Sequence, residues 1–147
     1  MSNNRAFTFI ETLIATLIMA AGLTGAAAIF SYSVRTNLFS EQVTTGVLLA
    51  NTKMEAFHNS PKVTDFPVGG GLDASSPSPG YFEYISISPT GAVTADTVST
   101  AAPYIRLWQI TGSNPRLVTV SVHAQNSGIS RLPIELVRTT TELTNGF

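Results

Sequence analysis

Between Thr12 and Val34 the chain carries no charged residue, and extending the run back to Phe7 adds only one, Glu11. Wound as a helix, residues 7–30 reach roughly 36 Å, enough to cross a hydrocarbon core of about 30 Å. Few structures other than a membrane span use such a stretch without burying it. Arg5 lies just before the run, so the positive-inside bias places residues 1–6 in the cytoplasm and everything after residue 30 across the membrane. An ionised side chain near a bilayer core is costly, and Glu11 therefore needs a reason.

The helical pattern continues past the apolar run. Phe39, Val43, Val47, Ala50, Met54 and Phe57 recur at steps of four, four, three, four and three, which predicts one apolar face, the core face of the helix. Arg35, Asn37, Glu41, Gln42, Asn51, Lys53 and Glu55 fall on other faces, as in a half-buried amphipathic segment. Asn59, Ser60 and Pro61 supply a stop, because the residue before proline is biased away from helical geometry. The reading is one helix of about fifty residues, with an apolar membrane half (residues 7–30) and a second half laid along a folded head. Gly22 and Gly25 inside the apolar half permit either close helix packing or local melting.

The head comprises residues 31–147, of which the helix takes those to about 59. A chain of 147 residues has room for one modest core. Residues 60–80, SPKVTDFPVGGGLDASSPSPG, hold four prolines and four glycines and read as loop. Four stretches within residues 81–141 have strand character: YFEYISIS (81–88), YIRLWQIT (104–111), RLVTVSVHA (116–124) and PIELVRTTT (133–141). In the third, Val118, Val120 and Val122 share a face expected to be buried, while Thr119, Ser121 and His123 share one expected to meet solvent. Short turns at residues 112–115 and 125–130 predict antiparallel hairpins linking the last three strands. Residues 90–103 read as a surface loop. Wrapping this small antiparallel sheet on the helix stripe gives an α+β head.

The chemistry of catalysis is sparse. Net charge is −1 with 12% charged residues, so no basic field exists to hold nucleic acid. The absence of cysteine removes disulfides, thiolate nucleophiles and sulfur-ligated metals. His58 and His123 are the only histidines, and Glu55 with His58 on one helical face is too few ligands for a metal. Asp65, Asp73 and Asp96 lie in loops without the close carboxylate alternation of a calcium site. Gly69, Gly70 and Gly71 follow no expected strand and open no helix, which fails the context of a phosphate loop. Tyr104 and Trp108 on one strand are expected to be core. Neither enzymatic activity, a cofactor nor a metal is expected.

The opening itself is specific: a short polar leader with Arg5, the small Ala6, then Phe7, Thr8 and a glutamate at the fifth place of a long apolar run. It resembles the class III signal of type IV pilins and pseudopilins. The resemblance implies a pilin-like fold and a prepilin peptidase that cuts between Ala6 and Phe7 and methylates the new amine, although the family usually has glycine where this chain has Ala6. GVLLANTKMEAFHNSP (residues 46–61) is similar to the "LA..KME" stretch of PilV-type minor pilins and of a minor pseudopilin of type II secretion. The helix-breaking proline and C-terminal disulfide of many major pilins are missing, which favours a minor subunit.

That resemblance gives Glu11 a role. It implies that, once residues 1–6 are removed, the carboxylate meets the amine of a neighbouring subunit in a fibre of staggered helices, with Thr8 beside it in the assembly segment. Implied partners are the prepilin peptidase, the inner membrane and other pilin subunits; the protein would be a single-pass inner-membrane precursor and then part of a pilus fibre in the periplasm or on the cell surface. Other readings stand beside this one. They are a type II secretion pseudopilin, a plain single-pass anchor with a binding head, and a secreted soluble binding domain whose signal peptide is cut near Ala26–Ala28.

Overall fold

The computed structural model describes residues 8–60, 66–98, 101–113, 115–125 and 133–144. They fall in two compact units, Met1–Ser40 and Glu41–Phe147. One helix, α1 (Phe9–His58), contributes to both. Thr8 and Glu11 supply its start signal, and its interior is dominated by alanine, leucine and other good helix formers. The hydroxyls of Thr12, Thr16, Thr24, Ser31 and Thr36 donate to carbonyls three or four residues earlier. Polar side chains are thereby satisfied by the helix's own backbone and need no water. From Thr8 to Ser40 every residue is exposed, including Phe9 (84%) and Leu23 (66%). By length and composition α1 is able to cross a membrane.

In the second unit residues 41–58 of α1 pack on an antiparallel sheet, an α+β layout. Its strands are β1 (Gly69–Gly70), β2 (Phe82–Ile87), β3 (Val93–Asp96), β4 (Tyr104–Thr111), β5 (Arg116–Ala124) and β6 (Ile134–Leu143), ordered β3-β2-β4-β5-β6 with β1 also paired to β4. Leu49, Ala50, Met54 and Phe57 meet Ile85, Trp108, Ile110, Val118, Val120, Val122 and Leu143 in one core. Each fully buried aliphatic or aromatic side chain there contributes about 1.5–3 kcal/mol relative to exposure. Alternation explains the sheet's share: β5 turns every second residue, Val118, Val120 and Val122, toward the helix. Trp108 lies on the same face of β4, and Tyr104 packs against the cluster half-buried.

Two strands lie in segments whose composition reads as loop. β3 is exposed at all four residues, so it shows no apolar alternation and is held by backbone pairing to β2 from Tyr84↔Asp96 to Ile87↔Val93. Gly70, with φ of +87°, pairs with Gln109; a Cβ there would stand 2.4 Å from the Trp108 carbonyl oxygen. Only glycine lets β1 approach β4 so closely. The turns expected after β4 and β5 involve Asn114 and residues 126–130, which lie outside the described residues.

The solvent face expected for β5 is also overturned toward its end. Ser121 is fully buried and His123 is 7% exposed. They pair across the ladder with Leu107 and Ile105, both fully buried, on the sheet face opposite α1. Phe82 and Tyr84, paired with the same two residues, stack edge-on with centroids 5.4 Å apart. This part of the sheet is covered on both sides.

Candidate assembly site

The first turn of α1 holds the carboxylate of the apolar run. The Thr8 amide donates to Glu11 Oε2 (2.8 Å), the Thr8 hydroxyl donates to the same oxygen (2.9 Å), and the Glu11 amide reaches back to Thr8 Oγ1 (3.4 Å). Threonine at the N-cap with glutamate three residues later is a capping box, which satisfies helix-terminal amides reciprocally. The N-terminal end of the helix dipole also favours a negative charge there. Oε1 accepts no hydrogen bond from the described residues, and Glu11 is exposed. Ala6 and Phe7 lie outside the described residues.

Downstream, the face that α1 presents to the sheet is turned relative to the expected stripe. Ala50, Met54 and Phe57 are buried and Val43 is half-buried, but Phe39 is 44% exposed and Val47 39% exposed. Gly46 and Leu49 take part in the buried face instead. Gly46 is the physical cause: a Cβ at this position would lie 3.1 Å from Leu136 Cβ, so a bare backbone is what allows the close approach. Val47, about 100° further round the helix, is thereby turned outward. Leu136 is an extra residue in β6, because Val122 pairs with Val137 and His123 with Glu135. Counting apolar side chains cannot see a glycine contact, although the glycine opening GVLLA was visible.

Beside the core lies a charged cluster. Lys53, expected on a polar face, points inward: its Nζ is 2.7 Å from Glu83 Oε1 and 3.8 Å from the centre of the Trp108 ring. The other Glu83 oxygen pairs with Arg106 Nη2, and Arg106 Nη1 donates to the Leu49 carbonyl (2.8 Å). Burial would raise the Glu83 pKa, but hydrogen bonds and charge from Arg106 and Lys53 outweigh it and hold the carboxyl below the usual range. Charged residues at inward-facing strand positions, Glu83 before Ile85 and Arg106 before Trp108, were the legible signal. Lys53 also borders a groove of about 470 Å³ walled by Phe57, Phe66, Tyr81 and Trp108.

Ser121, His123 and Glu135 form a second polar cluster that has the residue types of a relay without its geometry. His123 Nε2 lies 3.2 Å from Ser121 Oγ and 3.8 Å from Glu135 Oε2. Both neighbours meet the same ring nitrogen, so the imidazole does not bridge them, and the serine has no exposed surface. Burial depresses the His123 pKa, with Arg138 adding to the effect and Glu135 and Asp73 opposing it. His58 is exposed and its Nε2 lies 3.2 Å from Thr141 Oγ1. Asp73 and Asp96 accept the amides of Ser75 and Val98, as turn-forming carboxylates do. Among the described residues no three acidic or histidine groups are arranged to hold a metal.

No curated protein and no solved structure matches the chain. Residues 1–27 match the prokaryotic N-terminal methylation motif. The chain thus carries the class III prepilin signal of type IV pilins and pseudopilins, and with its apolar helix and α+β head it has the form of a pilin-like precursor.

Proposed function

We propose that the protein is a minor pilin, a structural subunit of a type IV pilus. It enters the inner membrane as a prepilin with its N-terminus in the cytoplasm, is cut between Ala6 and Phe7, methylated on Phe7, and assembled through the first part of α1 with other pilin subunits. It aids pilus initiation, assembly or adhesion. The observation that carries this reading is the continuity of the methylation motif with a helix that is apolar and exposed along residues 9–34 and buried against a sheet by residues 46–57. A hydrophobic surface of that extent needs lipid before assembly and other helices after it.

Within this reading Glu11 has two duties. Oε2 caps its own helix, while Oε1 meets the cationic amine of Phe7 on a neighbouring subunit, so two charges enter an apolar fibre core as a pair. Buried pairs of this kind specify register more surely than they add stability. Glu11→Gln and Glu11→Val should therefore be processed and retained in the membrane, yet be lost from fibres. Immunoblots of sheared fibres and of membranes, run for wild type and variants, provide the readout. Equal amounts in both fractions would remove Glu11 from assembly. A type II secretion pseudopilin bears the same signal; wild-type protein confined to envelope fractions and absent from sheared surface fibres would favour that role.

A further inference from the structure

We infer that Lys53, Glu83 and Arg106 form a register lock that fixes the axial position of residues 41–58 of α1 on the sheet. Apolar contact fixes that position only in part, through packing volume. A slide of one helical turn, about 5.4 Å, brings Ala50 to the place of Met54, or Met54 to the place of Ala50, exchanging one apolar side chain for another. The charged cluster has no such degeneracy. Lys53 Nζ sits 2.7 Å from one Glu83 oxygen, Arg106 Nη2 pairs with the other, and Arg106 Nη1 reaches the Leu49 carbonyl at 2.8 Å. One turn away from Lys53 stand Leu49 and Phe57, neither of which offers a charge. A slipped helix would leave Glu83 one cation short, whereas the next backbone carbonyl along the helix would serve Arg106 as the Leu49 carbonyl does, so the discrimination rests on Lys53.

The composition of the cluster argues for specification over stability. Two cations share one carboxylate, and Arg106 Nε is buried with no acceptor among the described residues. Such an arrangement is a poor source of net folding energy, and register is the best-attested use of buried ionic groups. Gly46 adds a steric pin in the same register. Its backbone rests so near Leu136 that Ala50, shifted into its place, would press a methyl group against that side chain. If the chain polymerises through α1, as proposed above, every copy must hold one register. The lock itself is tested without that assumption.

The chain has no cysteine, so introduced pairs report register cleanly. Gly46→Cys with Leu136→Cys places two Cβ atoms about 3.1 Å apart in the native register, close to disulfide range after slight relaxation. Ala50→Cys with Leu136→Cys reports a helix slipped by one turn. Both pairs are oxidised in the full-length protein in detergent, alone and combined with Lys53→Met, Glu83→Gln and Arg106→Met together. With the cluster intact, the 46–136 pair should cross-link at least tenfold faster than the 50–136 pair. With the cluster neutralised, the head should still fold and the ratio should fall, the remaining preference being that of packing alone. An unchanged ratio in a folded variant would overturn the lock. So would loss of folding in the neutralised variant when Glu83→Gln alone, still folded, keeps the wild-type ratio; the cluster would then be a stabiliser only.

Discussion

α1 is one continuous helix that meets two physical problems. Along residues 8–40 every residue is exposed although the sequence as far as residue 30 is mostly apolar, whereas along residues 41–58 the apolar residues are divided between a buried and an exposed face. The first stretch hides its hydroxyls on its own carbonyls and leaves its hydrocarbon uncovered. The second recruits a sheet. Apolar content therefore does not identify the core of this protein: Phe9, Ile10 and Leu13 are as hydrophobic as Met54 and Phe57 but are designed for a medium other than water.

The comparison is broken most severely by truncating the buried stretch. Met54→Ala or Phe57→Ala should destabilise the head by about 2–5 kcal/mol, since both remove volume from a packed core. Phe39→Ala should cost well under about 1 kcal/mol, as substitutions away from packed sites do. Chemical denaturation of the full-length protein in detergent, followed by fluorescence of the sole tryptophan, Trp108, distinguishes them. Similar losses for all three would mean that the buried face of α1 has been misassigned.

Glycines sharpen the same contrast. Gly46→Val should cost about 1–3 kcal/mol by forcing Leu136 and Val137 aside. Gly22→Ala meets nothing within 4 Å and should strengthen the helix by up to about 1 kcal/mol. Opposite signs in thermal melts followed by circular dichroism are the expected result, and two losses would show Gly22 to be packed within the monomer.

The smallest effect is that of pH on the head. Burial lowers the His123 pKa, so between that depressed pKa and about 6.5 the unfolded chain binds more protons than the folded one. Stability should fall as pH drops through that window and level off below the folded value. Glu83 acts lower: its contribution is complete above about 4.3 and is lost as pH falls through its depressed folded pKa. Denaturation midpoints for wild type and His123→Gln should converge in slope above pH 7 and differ below it. Identical slopes throughout would show that His123 is not desolvated in solution.

What the sequence made legible follows from the kind of signal each element leaves. α1 is marked by length, apolar spacing and the Asn59-Ser60-Pro61 stop, and β4 and β5 are marked by branched and aromatic residues with the very bounds found, Tyr104–Thr111 and Arg116–Ala124. β3 left no such mark, because an exposed edge strand is defined by the backbone groups of its neighbour and not by its own side chains. His123 looked exterior by alternation, but alternation assigns a residue to a face and cannot tell whether that face is covered. Lys53, Glu83 and Arg106 are 30 and 23 residues apart in sequence, and only the fold brings them together. The hydrogen bonds between Thr8 and Glu11 lie within a single turn, so they need no distant part of the fold.

The central claim concerns the first residues of the mature protein, and the most direct measurement is N-terminal sequencing with intact mass on protein isolated from membranes and fibres. The account predicts a chain beginning at Phe7 with a methylated amine, and an uncut precursor when Ala6 is replaced by tryptophan. A mature chain beginning near Ile29, or an Ala6→Trp variant processed like wild type, would contradict it.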